Sequence, residues 1–342
     1  MHIQIIFFAN VFNKVATQTD ALGNVTQFNY DLFGQLSETV NPDQTSVKKQ
    51  YDSQGNVTHS IDEADRVTQF EYDHENRIVK TITHDGSFTS VEYDVVGRRT
   101  ATIDANGNRT EYEYDPVGNN TLVRDALGNE TIYEYDAANR RTAMIDALSQ
   151  RTDYTYDDYD RLVRTDYADG TYSIVEYDDA GRKTAEIDQE QKRTEFAYDS
   201  TGNLKTVTDP ANGTGAMNLV TSYTYDNNNN RITQTDANLH TTTMEYDKLN
   251  RLVKRIYPNS DEETFAYNAN GNMISKVDGE GDSTVYTYDA RNREVLRRYT
   301  NSGHTVRTVY TVDSKRDSVI DHRGITTYEW GDCCGQLVRV DN

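Results

Sequence analysis

The chain is poor in the residues that fasten or interrupt small folds. Its 342 residues hold four prolines, one tryptophan and two cysteines. The cysteines, Cys333 and Cys334, are neighbours in GDCCG, which rules out a spaced C-x-x-C metal site and a disulfide framework. They are read as a local turn feature. So few prolines exclude a proline-rich linker. No apolar run of about 18 residues occurs, so no membrane-spanning helix is expected. The opening MHIQIIFFANVFNK lacks a basic leader region and a clear small-residue cleavage site, so it is not read as a signal peptide. Positive charge is also short: 35 Lys and Arg face 56 Asp and Glu, a net charge of −21. Such a surface repels nucleic acid and anionic lipid, and neither is expected as a partner.

Apolar residues make up 35% of the chain, and mean hydropathy is −0.85. That balance leans toward disorder or thin burial. Against it stand 25 tyrosines and nine phenylalanines, too many for a solvated tail. Buried area must come largely from tyrosine rings, whose hydroxyls then need water or a partner.

The tyrosines are periodic. Tyr30, Tyr51, Tyr72, Tyr93, Tyr114, Tyr135, Tyr156, Tyr177 and Tyr198 follow each other at 21 residues. After one step of 27 come Tyr225, Tyr246, Tyr267 and Tyr288, again 21 apart; Tyr310 follows, then Trp330 in the tyrosine's place. In 12 of the 13 places from Tyr30 to Tyr288 the next residue is Asp, as with Asp31, Asp52, Asp94 and Asp115. Four residues after each tyrosine stands Gly, Asn or Asp: Gly34, Gly55, Asn76, Gly97, Gly118, Asn139, Asp160, Gly181, Gly202, Asn229, Asn250, Gly271 and Asn292. These types tolerate positive φ. Asp favours the first position of a type I turn, so D-x-x-G reads as a hairpin turn closed by a left-handed residue.

A second such turn recurs about ten residues further on, as in Asp104–Gly107 and Asp125–Gly128. HDG at 84–86 and ADG at 168–170 read as tight Asp-Gly turns instead. Between turns lie segments of strand length that alternate. In RTEYEYD, Thr110, Tyr112 and Tyr114 share one face, and Arg109, Glu111 and Glu113 the other, read as the solvent side. In the returning segments Ala101 and Ile103, or Ala143 and Ile145, share a face. No segment is long enough for a helix.

The reading is therefore all-β: tandem 21-residue hairpins in one antiparallel meander over residues 1–342, without a separate toxin or core domain. About 15 or 16 units give roughly 30 strands and, at about 4.8 Å per strand, a ribbon roughly 150 Å long. So wide a twisted sheet is expected to coil into a spiral or hollow shell. Six extra residues fall at a second turn between Asp209 and Tyr223; one extra residue in 299–310 predicts a bulge or a longer turn.

The motif Y-D-x-x-G-R, as in YDVVGRR (93–99), YDAANRR (135–141) and YDDAGRK (177–183), resembles the YD repeat. With D-A-x-G-N-x-T-x-Y-x-Y-D at 104–115 and 125–136 it is similar to the RHS/YD-repeat family, over nearly the whole chain. The resemblance implies a β-sheet shell, in bacterial toxins one that encloses a C-terminal effector, and a secreted or cell-surface location. The D-P-x-G core motif of toxin-bearing members is absent: DPVG at 115–118 lies inside a repeat.

Catalysis is not expected. Carboxylates such as Glu111, Glu113 and Asp115 recur in unit after unit, so none marks a single cleft. No cofactor is expected. Calcium is the one ion the turns bring to mind, because DANGN (104–108) offers oxygens, but the EF-hand pattern fails at Arg109. The histidines lack ligand spacing. The partners expected are the rest of the polypeptide or an enclosed effector, another copy through free sheet edges, or a glycan stacked on tyrosines.

Overall fold

The computed structural model describes residues 6–9, 14–210, 219–330 and 337–341. It holds 32 β-strands, from Ile6–Ala9 to Leu337–Asp341, and no helix among the described residues. The strands form one open antiparallel sheet in which each follows its predecessor as a hairpin. Two compact units can be distinguished, Glu92–Glu262 on its own and Met1–Val91 together with Glu263–Asn342.

One repeat shows how the sequence builds this. The strand Arg109–Tyr114 ends in the tyrosine, and the return strand Asn120–Arg124 pairs with it, Glu111 opposite Arg124 and Glu113 opposite Leu122. Between them Asp115 N–H donates to Asn119 O at 2.9 Å, and Gly118 N–H to Asp115 O at 3.1 Å. Gly118 has φ +104°. All 13 residues placed by the spacing at this position, from Gly34 to Asn292, have positive φ. The left-handed residue brings a one-residue register shift just before the tyrosine, as at Tyr114, Tyr135 and Tyr156. A bulge that the sequence suggested only near 299–310 is thus part of the hairpin, the expected companion of a type I turn closed in this way. Near 299–310 the extra residue lengthens the turn: Tyr299 N–H reaches His304 O, five residues on rather than four.

Most second turns obey the same hydrogen-bond rule, including those read as tight Asp-Gly turns; Asp321–Gly324 departs from it, its two end residues pairing directly. Gly86 N–H donates to Thr83 O, and Thr83 N–H to Ser87 O; Gly170 and Tyr167 repeat this. HDG and ADG are the last three residues of ordinary four-residue turns, with Thr83 and Tyr167 where Asp usually stands. The backbone pattern sets the turn, and Asp85 and Asp169 supply the carboxylate one residue before the glycine. The six-residue insertion follows Asp209, which pairs with Leu219; residues 211–218 lie outside the described residues, as do Cys333 and Cys334.

Burial is thin. The buried apolar residues are Ala101, Ala143, Ala185 and Met244, and no large side chain is fully buried among the described residues. A single sheet has no second layer to cover it, so its side chains are closed over by their neighbours within the same face.

Candidate functional site

The chemistry-bearing residues recur as a tile, and the tile is the candidate site. Its tyrosine points its hydroxyl at the backbone of the preceding hairpin. Tyr114 donates to Arg99 O at 2.8 Å, Tyr135 to Asn120 O at 2.9 Å, Tyr156 to Arg141 O at 2.8 Å and Tyr198 to Lys183 O at 2.8 Å, each 15 residues back. Tyr30, Tyr51, Tyr72, Tyr177, Tyr246 and Tyr288 do the same. Tyr225 spans the insertion and still finds the equivalent carbonyl, Leu204 O. Trp330 is the informative exception: its indole N–H donates to Arg316 O at 2.6 Å. The position thus selects a flat ring with a donor at its far end.

The aspartate is a turn cap. In Asp136, Oδ1 accepts the N–H groups of Ala138 and Arg140, and Oδ2 accepts Arg140 Nε at 2.7 Å. Its carboxyl is held below the ordinary range, first by the backbone N–H of Arg140 and then by its guanidinium. Asp104, in the DANGN turn, gives its oxygens to Asn106 N–H, Asn108 N–H and Asn108 Nδ2. Those oxygens serve the turn itself. Among the described residues no three His, Cys, Asp or Glu side chains are grouped to hold a metal ion.

The residue after the left-handed position joins one hairpin to the next, a role the sequence reading missed. Where it is Arg, it pairs with its own Asp, and in Arg98, Arg140 and Arg161 it also donates to the next turn's backbone and covers the next tyrosine. Arg98 donates to Asp115 O at 2.8 Å and lies 5.0 Å from the Tyr114 ring centre; Arg161 donates to Asp178 O at 2.9 Å and lies 4.8 Å from the Tyr177 ring. Where it is Asn, its amide bridges to an Asn in the next hairpin's left-handed position: Asn119 to Asn139 at 2.9 Å, Asn56 to Asn76 at 2.7 Å, Asn203 to Asn229 at 2.9 Å and Asn230 to Asn250 at 2.8 Å. The Gly/Asn choice that reads as φ tolerance is therefore also a lateral pairing. The co-occurrence of Asn at both places, one unit apart, was the available signal.

The opposite face carries a second device. Ala143 lies opposite Glu134 on one side and Asp153 on the other. Arg151 spans all three strands above it, with Nη1 and Nη2 on Glu134 at 2.8 and 2.7 Å and Nε on Asp153 at 2.8 Å. Arg193 spans Glu176 and Glu195 in the same way around Ala185, and Arg109 spans Glu92 and Glu111 beside Ala101. All three alanines are 0% exposed. Hydrogen bonds from Arg151 hold the Glu134 carboxyl below its usual range, and Arg193 does so for Glu176. Glu111, read as solvent side, is a half-exposed member of this charged roof and takes Arg109 and Arg124 together.

These tiles agree with what the chain resembles among known proteins. The RHS repeat model matches residues 10–46, 51–89, 93–121 and 114–151, and the teneurin YD-shell model matches residues 175–323. None of the curated proteins compared with the chain matches it. Among solved structures, a TcdB2–TccC3–Cdc42 crystal structure shares the fold over 98% of this chain at 15% identity, with a TM-score of 0.80. The Photorhabdus luminescens Tc holotoxin pore matches over 98% at 14% identity and 0.66, and TcdB2–TccC3 without its hypervariable C-terminal region over 98% at 17% identity and 0.65. The chain spans 21%, 22% and 23% of those three chains. In motif, in hairpin geometry and in family match, the chain belongs to the RHS/YD-repeat family.

Proposed function

We propose that the chain is a non-catalytic wall: a stretch of YD-repeat shell, from a secreted or cell-surface protein, that encloses or displays another polypeptide segment. The observation that carries this reading is where the reactive-looking groups are spent. The aspartates cap turns, the tyrosine hydroxyls bind backbone carbonyls, and the arginines bridge neighbouring strands. Repeated in hairpin after hairpin, this chemistry builds a surface and singles out no pocket. The fold shared with TcdB2–TccC3 assemblies, one of which was solved without its hypervariable C-terminal region, supports a wall around a variable segment. A glycan-binding reading is less favoured, because arginine guanidiniums lie over the faces of repeat tyrosines such as Tyr114, Tyr156, Tyr177 and Tyr198, where a sugar would stack.

The test is limited proteolysis of the native gene product with all polypeptide encoded beside these repeats. A segment outside the repeats should resist cleavage while the repeats are folded and be cut rapidly once they are unfolded. Equal cleavage rates in both states, or the lack of any such segment, would overturn the reading.

A further inference from the structure

The two long borders of the ribbon are made of turns, and in one unit of the chain they meet. First turns, the Y-D turns, line one border, and second turns line the other. In the unit Met1–Val91 plus Glu263–Asn342, second turns of early hairpins dock on first turns of late ones. Asn270 Nδ2 donates to Asp20 Oδ2 at 2.7 Å, Arg291 Nη2 to Glu63 Oε1 at 2.7 Å, and Arg66 pairs with Asp313. Asp43 lies 3.6 Å from both Arg291 and Arg293. The sequence separations are 250, 228 and 247 residues for the three hydrogen-bonded pairs. Turn border against turn border is therefore a contact this repeat makes, in one polarity: second turns face first turns.

In the unit Glu92–Glu262 the same borders carry several apolar tips among polar ones such as Asn106, Asp169 and Glu190. At the third turn position, where Asp43 and Arg291 stand in the docked pair, the second turns have Leu127 and Leu148, and the first turns have Val96, Val117 and Tyr159. These side chains are 88%, 77%, 71%, 73% and 77% exposed. Turn tips favour Gly, Asn, Asp and Ser, so hairpin formation does not call for them. Leu239 adds an independent sign. It occupies a left-handed position at φ +66°, is 83% exposed, and is an apolar side chain where other second turns use Gly, Ser, Asp or Gln. A bulky residue held in that backbone region and pointing at water costs stability and gains the fold nothing.

We propose that these borders are a docking pair for a second copy of this chain, the second-turn border of one copy (Leu127, Leu148, Leu239) receiving the first-turn border of the next (Val96, Val117, Tyr159). The polarity seen within the other unit sets the arrangement. Where that contact is made by charges and amides, this one rests on the apolar tips of both borders. The two borders differ, so the contact is heterologous and its natural products are head-to-tail chains of copies. This differs from pairing of the sheet's end strands, where the last strand, Leu337–Asp341, offers backbone groups. The proposal is independent of what, if anything, the shell encloses.

Sedimentation velocity on the intact 342-residue chain tests it. Wild type should grow from monomer to larger species as concentration rises. Leu127→Asp with Leu148→Asp, and separately Val96→Asp with Val117→Asp, should each remain monomeric with an unchanged β-sheet circular dichroism spectrum. An equimolar mixture of the two variants should form heterodimers and stop there, because each retains one intact border. Leu239→Gly should raise the unfolding midpoint yet weaken association several-fold. Monomeric wild type at every concentration would overturn the proposal. So would association that survives both double variants and is lost instead on Val338→Pro in the last strand.

Discussion

At the scale of single residues, the tile separates two demands that the sequence merges into one letter. Gly118 has φ +104° and open space where a Cβ would stand. Backbone conformation is therefore the whole of its constraint. Gly118→Ala is expected to lower stability by about 1–2 kcal/mol, the cost of a left-handed non-glycine residue. Gly118→Asn should cost less, since Asn holds this position at φ +64° in Asn139. The tyrosine next door poses a different question. Tyr135→Phe keeps the ring and removes only the hydroxyl that bonds Asn120 O at 2.9 Å, a part-buried contact. A loss of about 1 kcal/mol is expected. Tyr135→Ala should cost about 2–3 kcal/mol, because the ring goes with the hydroxyl. Hydrogen exchange of the strand Glu130–Tyr135 is the right readout for both sets, since an array whose parts contact only their neighbours opens locally.

At the scale of the element, three strands must be in place before a buried alanine makes sense. Ala143 is 0% exposed beneath the guanidinium of Arg151, which the carboxylates of Glu134 and Asp153 hold across it. Ala143→Leu should cost about 1–3 kcal/mol by overpacking that space. Arg151→Ala alone should cost less, because the ion pairs are half-exposed and screened by water. The combination Ala143→Leu with Arg151→Ala should be less harmful than the sum, and chemical denaturation of the four proteins in a double-mutant cycle checks it. Strict additivity would show that Arg151 does not roof Ala143. Period and turn chemistry were legible here, and the alternation placed Ala143 and Ile145 on a common face. Which neighbours shared that face was not legible. Glu134, Ala143, Arg151 and Asp153 come from three strands, and their meeting depends on a register that the bulge before Tyr135 shifts by one. The same non-locality hid the Asn119–Asn139 bridge, while the turns at 83–86 and 167–170 were misjudged because Asp-Gly is a strong local signal for a shorter loop.

At the scale of the whole molecule, local grammar ends and contacts between distant repeats begin. Arg66 and Asp313 are separated by 247 residues, and nothing in a 21-residue pattern pairs them. Burial works against the charge of Asp313, but hydrogen bonds from Thr311, Arg66 and Lys315 more than offset it and hold its pKa at about 2, below the ordinary 3.8. A carboxyl depressed by folding binds its proton less readily in the native than in the unfolded state. Its stabilisation is therefore complete above about 3.8 and is lost as pH falls toward about 2. Protection factors for the amides of Ser314 and Lys315, corrected for intrinsic exchange, should hold steady from neutral pH to about 4 and then fall through that window. In Asp313→Asn the profile should start lower and run flat across the same range, because no carboxylate remains to titrate. Asp85 supplies the control, as its pKa also lies at about 2, set first by the Thr83 hydroxyl and then by Ser87. Those partners lie within its own turn, so Asp85→Asn should leave the pH profile of Ser314 and Lys315 unchanged. An unchanged acid loss in Asp313→Asn would mean that the general titration of the acidic surface, and not this pair, governs how early and late repeats part.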